Sequence, residues 1–405
     1  MKYFIKLSFL FLFTVASASA ELFDPVALFL TWQRDPAHTM TVVWITRPDV
    51  TTDEVDYYKE GSSEGLVQIG THRGMPNGHP YYIHQVELTN LEPNSDYLFR
   101  IHPDGALYKF RTMPTDLKKP VRFIVGGDVY GDTIESVIEM NREAAKKEPS
   151  FALVGGDLAY SAPSGGFFAK FFMHEKPDRW LAWLVAWKEH MVTPKGRLIP
   201  LIPAIGNHET VGGDKQTPEE ARFFYALFPM PGKQGYNVLD FGNYLSLILL
   251  DTGHTHPIRG EQTNWLAQTL QERATVLNKF ALYHEGAYPS YRSPRSKNSR
   301  TIRQHWIPLF EQYGLNAAFE NHDHAYKRTH PIKEDKIDPQ GVLYIGDGCW
   351  GVKPRETKER WYLAKTASQR HVVLVTLTKD KTRFAAIDAQ GDLIDEFSQK
   401  HKGRR

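Results

Sequence analysis

Cysteine is almost absent from this chain: Cys349 stands alone among 405 residues. One thiol cannot close an internal disulfide, so a stapled framework is excluded and stability must come from packing and bound ions. An excess of either charge is lacking too, with 49 Lys and Arg against 47 Asp and Glu. No basic patch interleaved with aromatics occurs, which argues against nucleic-acid binding. Beyond the first twenty residues no apolar run approaches the length of a membrane span. Internal repeats and low-complexity tracts are missing as well. What is present, 41% hydrophobic and 24% charged residues, is ordinary globular material, long enough for two domains with ample core.

The amino terminus is a different material. Lys2 and Lys6 lead into the apolar stretch Leu7 to Val15, and Ala18-Ser19-Ala20 supplies small residues for cleavage before Glu21. The pattern predicts a secretory signal peptide over residues 1–20, hence a secreted or periplasmic protein with no membrane span after cleavage. Its loss removes two positive charges and takes the formal net charge from +2 to 0. Cys349, close behind the apolar run Val342-Leu343-Tyr344-Ile345, is expected to be a buried, inert thiol.

Residues 21–114 read as an all-β domain. Thr39 to Thr46 and Tyr81 to Leu88 are β-branched and aromatic runs, and Lys109 to Thr112 would close the domain. Leu91-Glu92-Pro93-Asn94-Ser95-Asp96-Tyr97 resembles the tyrosine corner of fibronectin III-like sandwiches. Met113-Pro114-Thr115-Asp116 marks the boundary. Over 115–400 the period switches to alternating strands and helices, an α/β layout. Strands are expected at Val121–Val125, Phe151–Val154, Leu198–Ile205, Tyr244–Leu250, Phe280–Tyr283, Ala317–Phe319 and Val342–Ile345. Helices are expected at Thr133–Lys147, Gln262–Arg273 and Ile302–Tyr313. Two insertions interrupt the pattern. One, over 161–197, carries Phe167, Phe168, Phe171, Phe172, Trp180, Trp183 and Trp187; the helical spacing of the tryptophans predicts core packing, the alternative being a lining on the substrate side. The other, Tyr288 to Arg303, is Ser-, Pro- and Arg-rich and reads as a solvated loop, the alternative being a basic loop that contacts a substrate anion.

Five short motifs carry the chemistry: Gly127-Asp128, Gly156-Asp157-Leu158-Ala159-Tyr160, Gly206-Asn207-His208-Glu209, Tyr283-His284 and Asn321-His322-Asp323-His324. Each is weak alone, since a Gly-Asp is usually a turn. Together they place oxygen and imidazole donors just past apolar strands, where open α/β sheets gather their ligand sites. Two carboxylates and a phenolate suit a hard trivalent ion, and an amide oxygen with imidazoles suits a divalent one. The seven donors Asp128, Asp157, Tyr160, Asn207, His284, His322 and His324 therefore read as one two-metal site, with Asp157 able to bridge.

On these motifs, Gly156-Asp157-x-x-Tyr160 above all, the chain resembles the purple acid phosphatases of the calcineurin-like metallophosphoesterase superfamily. The resemblance covers nearly all of the mature chain. It implies a multidomain protein, a fibronectin III-like β-sandwich followed by an α/β metallophosphoesterase domain with two β-sheets flanked by helices. It implies Fe(3+) held by Asp128, Asp157, Tyr160 and His324, and a divalent Fe, Zn or Mn held by Asp157, Asn207, His284 and His322. His208 would be catalytic, binding phosphate or protonating the leaving alcohol, with a metal-bound hydroxide as nucleophile. The implied activity is hydrolysis of small phosphomonoesters, the alternative being a phosphodiesterase or nucleotide hydrolase on the same centre. Asn321 stands where the family usually has Gly, and Asn tolerates the left-handed backbone such a turn would need. Tyr130 stands where Gly is common and would either narrow access or offer a hydroxyl near the site. Ser290, Tyr291 and Arg292 are weak candidates for contact with the phosphate.

Overall fold

The structure, a computed structural model, describes residues 23–163 and 174–401. The expected signal peptide, Phe167, Phe168, Phe171 and Phe172 all lie outside the described residues.

From Ala27 to Arg111 the chain forms two four-stranded antiparallel sheets. One joins Ala27–Thr31, Met40–Thr46, Tyr82–Leu88 and Thr71–Gly74, and the other Leu66–Ile69, Glu54–Lys59, Asp96–Arg100 and Tyr108–Arg111. The Tyr97 hydroxyl oxygen accepts the Glu92 amide at 2.8 Å, which pins the corner expected from the sequence.

The second half contains two larger sheets. A six-stranded sheet runs Leu201–Ala204, Ala152–Gly155, Val121–Gly126, His371–Leu377, Lys381–Asp388 and Leu393–Lys400, its first three strands parallel. A seven-stranded sheet runs Asn237–Phe241, Leu245–Leu249, Asn278–Glu285, Ala317–Asn321, Leu343–Gly346, Tyr326–Thr329 and Leu363–Ala367, with four central parallel strands. Phe123, Phe280, Phe319 and Phe384 interlock between the sheets at centroid separations of 5.6 to 6.3 Å. Helices Ile134–Lys146 and Glu261–Glu272 match the expected ones closely, the first capped by the Thr133 hydroxyl on the Ser136 amide.

Two apolar clusters run across the halves. Trp32 of the sandwich meets Phe151 and Phe241 edge-on at 6.0 and 5.9 Å. Helix Pro177–His190 buries Trp180, Trp183 and Trp187, with the first two against Phe228, which touches Phe29 of the sandwich. The three tryptophans are therefore packing residues, as their spacing predicts.

One expectation is corrected. The single helix Ile302–Tyr313 is two, Lys297–His305 and Ile307–Gln312, broken at Trp306. Pro308 has no amide hydrogen to continue the ladder, and Ser296 caps an earlier start through the Ser299 amide at 3.2 Å. The stretch read as a solvated loop is thus largely a folded wall, with Tyr288 and Ser290 buried and Arg303 donating to the Ala287 and Pro294 carbonyls.

Candidate metal centre

Five parallel strands end at one crevice. Val121–Gly126 delivers Asp128, Ala152–Gly155 delivers Asp157 and Tyr160, and Leu201–Ala204 delivers Asn207. From the facing sheet, Asn278–Glu285 carries His284, and Ala317–Asn321 is followed by His322 and His324. The turn after each strand has to be sharp. Asp128, Asp157, Tyr160, His322 and His324 all adopt positive φ, between 49° and 79°. Such backbone costs energy in non-glycine residues and clusters at functional sites. Glycine provides the close approach at Gly206, where a Cβ would lie 2.4 Å from Asp157 Oδ1.

The donors fall into two linked groups. Tyr160 Oη donates to Asp128 Oδ1 at 3.0 Å and lies 3.1 Å from His324 Nε2, which is itself 3.0 Å from Asp128 Oδ1. In the second group, His284 Nε2 lies 2.9 Å from His322 Nδ1, 3.1 Å from Asn207 Oδ1 and 3.3 Å from Asp157 Oδ2. Asp128 joins the groups, since its Oδ2 accepts the His322 amide at 2.7 Å. Donors on adjacent corners around a cation with bonds of about 2.1 Å sit about 3 Å apart. Both groups have that spacing, and their oxygen and imidazole atoms are suitable ligands, so the residues fit a pair of cations.

The electrostatics agree with that fit. Burial works to raise the Asp157 carboxyl, but the His284, His208 and His322 imidazoles outweigh it and hold the group well below the carboxylate range. Burial opposes protonation of His284, yet Asp157 and Asp128 push it up to about 10. Burial and the adjacent Asp128 hold the Tyr160 phenol well above its ordinary value. A cation would take over the charge that the His284 proton supplies to these carboxylates, and would displace the phenol proton.

The sequence expectations meet the geometry unevenly. His322 and His324 follow the strand on a loop and divide between the two groups. His208 stands beside them, its ring 4.3 Å from that of Tyr160 and its amide donating to Asp157 Oδ1 at 2.8 Å. Asn321 has no left-handed backbone. It ends a strand, its amide donates to the Tyr283 carbonyl at 2.9 Å, and it fills the notch beneath Gly127 and Gly155. Tyr130 packs beneath Arg179, whose guanidinium lies 4.0 Å from the ring centroid. Of the weak candidates, the Tyr291 and Arg292 amides donate to Asp323, between the two histidine ligands, and Arg292 Nη1 donates to the His322 carbonyl at 2.7 Å. Ser290 is buried, with its amide on Asp347.

Two groups of residues escaped the sequence reading. Glu209 is wholly buried and accepts the Asp157, Gly206 and Leu158 amides at 2.7 to 2.8 Å, tying two ligand loops together. Behind His284, His254 stacks edge-on at 5.5 Å and reaches Asp214 Oδ1 at 2.9 Å, while Asn298 bridges Asp214 and Glu285. The only signal for the second was Gly253-His254-Thr255-His256 following a strand.

Comparison with known proteins places these observations. Residues 25–112 match the model for the purple acid phosphatase N-terminal domain, and residues 121–326 match that for calcineurin-like phosphoesterases. An uncharacterized protein of Mycobacterium tuberculosis is 25% identical over 346 residues, 76% of this chain and 62% of that protein. Purple acid phosphatase 23 of Arabidopsis thaliana is 26% identical over 365 residues, 81% of this chain and 77% of that one. The chain thus spans less than two thirds of the mycobacterial relative. In structure it is similar to a purple acid phosphatase from yellow lupin (Lupinus luteus) seeds, with TM-score 0.75, 16% identity and coverage of 94% and 75%. A PhoD structure gives TM-score 0.67 at 13% identity, covering 94% and 93%. At such identities the likeness is one of fold.

Proposed function

The chain belongs to the purple acid phosphatase family of the calcineurin-like phosphoesterases, and from that premise we propose that it is an exported two-metal hydrolase of small phosphomonoesters. Asp128, Asp157, Tyr160 and His324 would hold a ferric ion, and Asp157, Asn207, His284 and His322 a divalent iron, zinc or manganese. The observation that carries the proposal is the convergence of seven donors from five strand ends, five of them on strained backbone. When bound, the cations would supply positive charge that polarises the ester and acidifies a water.

The protein's own side chains do the rest. His208 Nδ1 donates to the Ala162 carbonyl at 3.0 Å, which fixes the ring and turns Nε2 towards the Asp157 carboxylate, 4.0 Å away. From there Nε2 would bind a phosphate oxygen or return a proton to the departing alkoxide. Asp157 positions His208 through its amide and holds the metal donors in register with it. Asn321 is buried beneath the ligand loops, so it does not shape the substrate entrance. Among the described residues no helix is long and apolar enough to cross a membrane.

The test pairs turnover with metal content. His208→Ala should retain both metals while hydrolysis of an aryl phosphomonoester falls about 10²–10⁴-fold. Loss of metal in that variant would remove the assigned role. Turnover of a diester exceeding that of the monoester would replace the substrate class.

A further inference from the structure

A separate cluster lies in the sandwich, on strands that hold none of the seven donors. His72 and His84 face each other as direct cross-strand partners, and Trp44 stacks on His84 at 4.9 Å with an interplanar angle of 8°. Asp53, in the loop just before strand Glu54–Lys59 of the opposite sheet, reaches both rings, with Oδ1 2.7 Å from His84 Nδ1 and Oδ2 2.7 Å from His72 Nδ1. Asp53, His72 and His84 each offer one ligating atom, and these atoms all lie within 4.8 Å of one another. The His84 side chain is 0% exposed, Asp53 16% and His72 30%, so the cluster opens to solvent on one side only.

Thr46 Oγ1 lies 2.7 Å from His84 Nε2 and 3.3 Å from the Val50 carbonyl. With His84 Nδ1 given to a cation, Nε2–H can donate to the Thr46 oxygen while the hydroxyl donates to Val50, so every group keeps a partner.

We propose that Asp53, His72 and His84 form a binding site for a borderline divalent cation such as zinc, independent of the paired-metal centre. Two imidazoles and one carboxylate are a ligand set that zinc takes readily, and the exposed His72 side leaves room for water as the fourth ligand. Thr46 is the outer partner that fixes the His84 tautomer. Donors on zinc stand about 3.3 Å apart, so ligation asks both imidazole–carboxylate contacts, 2.7 Å each, to lengthen by roughly half an ångström. The ion would clamp the exposed Thr71–Gly74 edge strand to the Asp53 loop.

The experiment uses the full chain, stripped of metal and equilibrated with buffered zinc. Wild type should bind one zinc per chain more than either His72→Gln or Asp53→Asn, with phosphomonoester turnover unchanged in both variants once the catalytic metals are restored. Zinc should raise the Tm of wild type more than that of the variants. Equal zinc counts in wild type and both variants, measured on protein with a native circular dichroism spectrum, would overturn the proposal. A variant that fails to fold is replaced by Thr46→Val, which spares all three ligands and should weaken zinc binding about 10–100-fold.

Discussion

Glu209 Oε2 accepts the backbone amide of Asp157 at 2.7 Å, and the same oxygen accepts the Gly206 amide at 2.8 Å. One buried carboxylate thereby sets the spacing between the loop that carries Asp157 and the loop that carries Asn207. Glu209→Gln keeps the shape but turns an NH₂ group against backbone donors, leaving at least one buried amide unpaired at a cost of about 1–3 kcal/mol. Metal affinity should fall about 10–100-fold, as for other outer partners of metal ligands. Metal titration of the stripped variant checks this, and unchanged affinity would show that the loops hold without Glu209.

Tyr160 should be the source of any visible colour. Its hydroxyl lies between Asp128 and His324, where a ferric ion would draw charge from a phenolate. In iron-loaded protein, Tyr160→Phe should bleach the band and retain a native fold. A band that survives would point to another chromophore.

Much of this candidate site was legible because six of the seven donors follow an apolar strand within a few residues and His284 sits near the end of one. Asp128, Asp157 and Asn207 sit two or three positions past strand ends that hydrophobic runs predict. Contacts that depend on distant segments were not legible. Nothing near Glu209 in sequence says that it will reach the Asp157 amide, and nothing near His254 says that it will stack behind His284. Asn321 was misread because local backbone preference suggested a turn, while pairing with Glu285 of the neighbouring strand keeps the residue on a strand. The strands from His371 to Lys400 were overlooked, although His371–Leu377 is a β-branched run; they complete the sheet that holds Asp128.

Acid should favour the native state through Glu175. Burial pushes this carboxyl up to about 7 from an ordinary 4.5, against the donors Trp180 Nε1 and Ser161 Oγ. The folded chain therefore holds a proton that the unfolded chain releases. That stabilisation is complete below pH 4.5 and is lost as pH rises to about 7. The gap corresponds to at most about 3 kcal/mol. Tm measured across that window should fall with rising pH in wild type and fall less in Glu175→Gln. Parallel curves would assign the pH dependence to other groups.

His208 should separate catalysis from metal binding. Its amide touches Asp157, but its ring touches Ala162 and Tyr160, so truncating the ring leaves the donor sets intact. Metal analysis beside kcat for His208→Ala should show full metal and slow turnover.

The most direct test compares wild type with Asp157→Asn in the hydrolysis of an aryl phosphomonoester from acid to neutral pH, each protein loaded with iron and a divalent metal. A ligand atom of Asp157 lies within 4.8 Å of those of Asp128, His284 and His322, and replacing its carboxylate with an amide removes the negative charge that two cations would share. The account predicts turnover in wild type, none in Asp157→Asn, and a lower metal content in the variant. Undiminished turnover in Asp157→Asn, or no turnover in wild type carrying both metals, would contradict it.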